Sequence, residues 1–266
     1  MTVSSRPPAV AGMFYPRDAH ELNRALDAAF ARARTSVAVD APKALIAPHA
    51  GYEYSGAIAA SAWATVASRP KVRRVVVLAP AHRAWVQGVA STGTTLLATP
   101  LGDVPVDLAA LAAVPDIRAD ASAHAREHAV EVHLPFIQRL FPSAKVVPLV
   151  VGAATQEAVA AVLDALWGGD ETLVVVSSDL SHYHPYREAR ALDEATAAEI
   201  VALGGPIASS QACGAVAING LLVLARRRGL RAVLLDLRNS GDTAGSPEEV
   251  VGYGAFGFYE GVRDAA

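Results

Sequence analysis

Cysteine is nearly missing from this sequence: Cys213 is the only one in 266 residues. A single cysteine excludes an intrachain disulfide and a multi-cysteine zinc site, and it fits a reducing compartment. Long apolar runs are also lacking. Hydrophobic residues make up 52% of the chain, but they are mainly Ala and Val in short stretches, none near the roughly 18 to 20 needed to cross a bilayer. The stretch from Met1 to Tyr15 has prolines where a signal peptide would have a basic patch and an apolar core, so none is expected. Nor is there an excess of basic residues. The formal net charge of -3 leaves no electrostatic footprint for nucleic acid. Repeats, low-complexity tracts and long linkers are absent. The expectation is one cytoplasmic domain spanning residues 1–266, with neither nucleic acid nor a membrane as partner.

What is present is an alternation. Strand-length apolar runs are interleaved with segments of helical period, the pattern of an α/β fold with a largely parallel or mixed sheet flanked by helices. Strands are predicted at residues 43–47, 74–78, 86–91, 94–98, 145–151, 172–177, 231–237 and 250–258. Helices are predicted at 20–34 (with Asp18 as cap), 56–66, 108–113, 130–140, 156–166, 187–203 and 214–228.

The polar residues capable of chemistry cluster just after these strands. His49 follows KALIA, His82 follows RVVVL, Asp179 and His182 follow TLVVVS, and Asp242 follows the strand at 231–237. In open α/β sheets ligands bind at the carboxyl ends of the strands, so these residues are expected to converge on one edge. A lone histidine after a strand is ordinarily only a loop residue. Two in matching positions are a stronger signal, whereas His20 and His124 are assigned no role. In REHAVEVHLPF, Glu127, His128, Glu131 and His133 resemble a zinc-protease motif, but the order is EHxxExH. Histidines five apart on a helix point about 140° apart, which argues against joint ligation and leaves His128 and His133 to face a substrate or support the site. Cys213 opens a helix, where the dipole favours a thiolate; burial as an inert thiol is the more ordinary reading.

These motifs resemble the Memo family, whose bacterial and archaeal members are called protein B of the AmmeMemoRadiSam system. The resemblance runs from VAGMFYP through APHAGYEYSG, LAPAHR, EHAVEVHLPF, SSDLSHY and NSGDTAG to VVGYGAFGFY, nearly the whole chain. It implies a fold like the class III extradiol dioxygenases, in which two histidines and an acidic residue hold non-haem Fe(II) and a further histidine acts as acid or base. Carried onto this chain, the metal histidines are His49 and His82 and the acid-base histidine is His182. Asp242 would supply the carboxylate of a two-histidine, one-carboxylate set, with Thr243 at the position where the animal protein has a cysteine. The family's name also implies a functional link to AMMECR-like and radical SAM proteins.

Three functions are then open. The first is oxygenation of a catechol- or aminophenol-like small molecule by Fe(II), with His182 moving a proton and His128 or His133 orienting the substrate. The second is hydrolysis by Zn2+ on the same ligands. The third is a non-catalytic metal- or peptide-binding role. Copper is a further alternative as the metal.

Overall fold

Four apolar runs build the middle of the sheet. Ala44–Ala47, Thr172–Ser177, Arg74–Pro80 and Lys145–Val151 lie side by side in that order, all parallel. Apart from Arg74 and Lys145 at their starts, every residue in these strands is buried. Their continuous apolar character follows, because a strand covered on both faces has no solvent side towards which to alternate.

The computed structural model describes residues 3–34 and 41–261, and it extends this parallel centre with antiparallel flanks. Val89–Ser91 pairs antiparallel with Lys145–Val151, and Ile117–Ala119 lies parallel beyond it. On the other flank Val250–Tyr259 runs antiparallel to Ala44–Ala47. Its opposite edge pairs with Arg231–Asn239, also antiparallel, and its first residues pair with His182–His184. The nine strands form a mixed sheet, so the fold is the expected α/β class, organised as a single domain. A separate three-stranded sheet joins Ser5–Arg6, Leu96–Thr99 and Gly102–Pro105.

Helices cover both faces. On one, Tyr52–Ala64 packs directly on the sheet and is itself covered by Ala19–Ala31. Being enclosed, it is small and apolar nearly all round, with a run from Ser55 to Trp63 entirely buried. On the other face Ala215–Arg228 and Gln156–Ala165 pack together over the strands. Asp18 caps the first helix as expected, its carboxylate accepting from the Glu21 amide at 2.9 Å. Gly214, just ahead of Ala215–Arg228, sits against the end of Thr172–Ser177: a Cβ there would lie 2.6 Å from the Ser178 Cβ. Only glycine lets that helix start so close to the sheet. Among the described residues, no helix is long and apolar enough to cross a membrane.

The elements depart from sequence expectation where local polar bonds outweigh period. The helix predicted over 130–140 is split into a 3-10 turn, Glu131–His133, and a helix, Leu134–Leu140. The Glu127 carboxylate accepts from the His128 and Ala129 amides at 2.9 and 3.0 Å, which holds that stretch out of a helix. Pro135 then stands in the first turn of the new helix, where its missing N–H costs nothing. The helix after His49 starts at Tyr52, earlier than predicted. Gly102–Pro105, Ile117–Ala119 and His182–His184 are strands of three or four residues, too short to show a period.

Candidate metal centre

Three adjacent parallel strands end at one edge of the sheet. They deliver His49 after Ala44–Ala47, Asp179 after Thr172–Ser177 and His82 after Arg74–Pro80. His128 comes over from the irregular stretch before Glu131–His133. The ring centroids of His49 and His82 are 5.1 Å apart, those of His49 and His128 5.4 Å, and those of His82 and His128 4.8 Å. Each of the three offers a ring nitrogen, and these nitrogens lie within 4.8 Å of one another. This is a candidate three-histidine metal site.

Hydrogen bonds around the trio orient the His82 and His49 rings. The Glu127 carboxylate accepts from the His82 amide at 2.7 Å and meets His82 Nδ1 at 3.0 Å, leaving Nε2 of His82 for the centre. Burial would push the Glu127 carboxyl up, but hydrogen bonds from the His82 ring and from the Ala129 and His82 amides outweigh it and hold it down at about 2. The His49 amide donates to Asp179 Oδ1 at 2.8 Å, and His49 Nδ1 lies 2.7 Å from Ser177 Oγ. The remaining nitrogen, Nε2, has Cys213 Sγ at 3.4 Å and Asp179 Oδ2 at 3.9 Å. Burial pushes the Asp179 carboxyl up to about 7 against the opposing hydrogen bond from His49.

The residues present suit a cation. Burial, followed by repulsion from His82 and His128, takes His49 well below its ordinary value, and burial takes His128 down to about 4. Neutral imidazole is the form that ligates metal. Nδ1 of His128 is also buried without a hydrogen-bond partner among the described residues. That nitrogen lies 3.3 Å from Glu127 Oε1, so the three rings and the Glu127 carboxylate together form a set of donors and negative charge that suits a cation.

The trio opens into a cavity of about 920 Å3, walled by Phe14, Tyr54 and Tyr253 as well as the histidines. His182 lines it too, half-buried, its imidazole lowered by burial. Tyr183 stands exposed on the rim, with φ at 61°, a left-handed conformation that costs energy for a tyrosine. Cys213 faces the cavity as a thiol, pushed up to about 12 by burial and by Asp179.

Other residues singled out from the sequence lie elsewhere. Asp242 is not brought to the histidines. Arg231–Asn239, which precedes it, is separated from Ala44–Ala47 by the whole of Val250–Tyr259, about 10 Å at ordinary strand spacing. Its carboxylate caps the turn Ser240–Asp242, accepting from the Asn239 amide at 2.9 Å and from the Tyr186 hydroxyl at 2.5 Å. Thr243 lies with it, its hydroxyl on Ser240 O. His133 is fully buried beneath the centre, with Nε2 3.0 Å from Ser177 Oγ and Nδ1 3.4 Å from Trp63 Nε1.

Sequence reasoning passed over Glu127, Ser177 and Glu131 as parts of this assembly. Glu131 is wholly buried and accepts from Arg6 Nη1, the Ala9 and Val10 amides and the Tyr15 hydroxyl at 2.6 to 2.9 Å. Arg6 also donates to the carbonyls of His124 and Glu127. The N-terminal stretch thereby holds the His128 segment in place. A glutamate directly before a histidine, outside any regular helix, was the available signal.

The Memo-like protein family model matches residues 6–256 of this chain. The chain is 33% identical to a MEMO1 family protein of Ignicoccus hospitalis, over 95% of this chain and 98% of that protein. It is 34% identical to MEMO1 family proteins of Caldivirga maquilingensis, over 96% and 99%, and of Archaeoglobus fulgidus, over 95% and 99%.

Proposed function

The chain belongs to the Memo family, and from that premise we propose that it is a metal-dependent oxidoreductase of the extradiol-dioxygenase type, acting on a small catechol- or aminophenol-like molecule. The observation that carries the reading is the meeting of His49, His82 and His128 at the floor of an open, aromatic-walled cavity. These three would hold the metal, with Fe(II) the choice that the extradiol resemblance favours. Bound Fe(II) would supply the redox chemistry between substrate and O2.

The rest falls to the chain itself. Phe14, Tyr54 and Tyr253 offer flat apolar walls on which an aromatic ring can lie. His182, which lines the same cavity and whose imidazole burial lowers, would take a proton from a phenolic hydroxyl and return it. Asp179 and Glu127 orient the ligands and are not themselves ligands in this reading. Arg83, on the cavity wall beside His82, offers a cation to an acidic substituent.

One observation favours a second reading. Three histidines form the ligand set of some catalytic zinc sites, and such a centre would hydrolyse an ester or amide. The deciding experiment is anaerobic purification, metal analysis and Fe(II) reconstitution, followed by an oxygen-electrode screen of catechols and aminophenols. Fe(II) at one per chain with O2 uptake supports the oxidoreductase. Zinc at one per chain with no O2 consumption supports the hydrolase, and failure to retain any metal rejects both.

A further inference from the structure

We infer that Trp63, His133 and Ser177 form a proton-ordered chain that locks His49 as the Nδ1–H tautomer and so turns its Nε2 lone pair towards the cavity; its functional meaning rests on the metal-binding reading above. The order follows from what each group can do. An indole Nε1 only donates, so Trp63 donates to His133 Nδ1 at 3.4 Å. Burial takes His133 down to about 3, which keeps it neutral with one ring proton. With Nδ1 accepting, that proton is on Nε2, and it is donated to Ser177 Oγ at 3.0 Å.

Ser177 has one hydroxyl proton and three close neighbours. His133 donates to it. Ala129 O, 2.7 Å away, can only accept. If the hydroxyl turned to His49 Nδ1 instead, two oxygens would face each other at 2.7 Å with no proton between them, and a carbonyl in a buried setting would be left unmade. A buried acceptor without a donor is costly, so that arrangement is disfavoured. The hydroxyl therefore goes to Ala129 O, and His49 Nδ1, 2.7 Å away, donates to Ser177. Every polar atom along the chain is then satisfied by one arrangement of protons. None of Trp63, His133 or Ser177 lines the cavity, and Trp63 and His133 are fully buried. They are positioning residues, acting through His49.

The test does not depend on turnover. Long-range 1H–15N spectra of the histidine rings report which nitrogen carries the proton, and they are recorded on metal-free protein, with signals assigned by His49→Gln and His133→Gln. The expected result is Nδ1–H on His49 and Nε2–H on His133. A chelator competition with Zn2+ then compares Ser177→Ala, expected to bind about 10- to 100-fold more weakly, with Ser177→Thr, which keeps the hydroxyl and is expected to stay close to wild type. An Nε2 proton on His49 in the wild type overturns the inference, as does unchanged affinity in folded Ser177→Ala. If Ser177→Ala does not fold, the wild-type spectrum still decides. Wild-type protein that retains no metal but shows the expected tautomers defeats the proposed function and leaves the proton order standing.

Discussion

Glu131→Gln is expected to remove a large part of the folding free energy although it changes one atom. The carboxylate is fully buried and receives four donors, one of them the Arg6 guanidinium, whose side chain is only 7% exposed. Gln keeps one acceptor oxygen and puts an NH2 where the other stood, so a donor now faces donors. Breaking a buried ion pair by removing one partner costs about 3–5 kcal/mol, because the other charge stays buried and unpaired. Each neutral donor left unmade adds about 1–3 kcal/mol. The expected loss is about 4–8 kcal/mol from the roughly 5–15 kcal/mol that holds a domain together. Urea unfolding followed by tryptophan fluorescence measures it, provided the m-value is unchanged. The double variant Arg6→Met with Glu131→Gln removes the orphaned charge. It should lose at least about 1.5 kcal/mol less than the sum of the two single variants, the range of coupling seen for residues in contact. A loss below about 1 kcal/mol for Glu131→Gln, or strict additivity in the cycle, would refute the claim that this pair anchors the N-terminal stretch to the His128 segment.

Three further outcomes follow from the site. Loss of either His49 or His82 as alanine should abolish metal retention, while His182→Ala keeps the metal and loses turnover; unchanged stoichiometry in both ligand variants rejects the trio. Asp242→Asn should retain full metal stoichiometry and lose only about 1 kcal/mol of stability, the scale of a weakened cap, and metal loss in it would restore Asp242 to the ligand set. Acid should destabilise the metal-free protein early. His124 is depressed by burial to about 4, with its Nε2 on Ala90 O, and His133 to about 3. Both stay neutral when folded, whereas the unfolded chain takes up protons below an ordinary histidine value of about 6.5. Their contribution is whole above that value and falls away as pH drops from 6.5 towards 4, by about 3 kcal/mol for His124 alone. Unfolding midpoints across that range check it, and a flat profile in wild type, or no flattening in His124→Asn, contradicts the sign.

How far the sequence disclosed this site differs from residue to residue. His49 and His82 were legible because each follows an apolar strand, and parallel neighbours necessarily present their carboxyl ends together. The same rule failed for Asp242. Arg231–Asn239 does point the same way, but Val250–Tyr259 inserts between it and Ala44–Ala47, and strand order across a sheet is not written in any local pattern. His128 was left to face a substrate or support the site because helical geometry sets it apart from His133. The segment is not a regular helix there, so the angle did not apply, and only one of the two histidines reaches the centre. Ser177 and Trp63 carried no signal at all: a serine ending a strand and a tryptophan in an apolar helix look like ordinary core.

The pairing of Ile46 with Phe256 has a consequence for how the protein comes into being. The first strand of the main sheet waits for the last one on this side, so most of the polypeptide leaves the ribosome before that ladder can close. Such distant partners make for slow, late closure. His49 hangs on the strand that is thus held open, and nascent chains shorter than about residue 258 lack the edge that steadies it. If the trio binds an ion as proposed, its capture would come late in maturation, after that edge has formed.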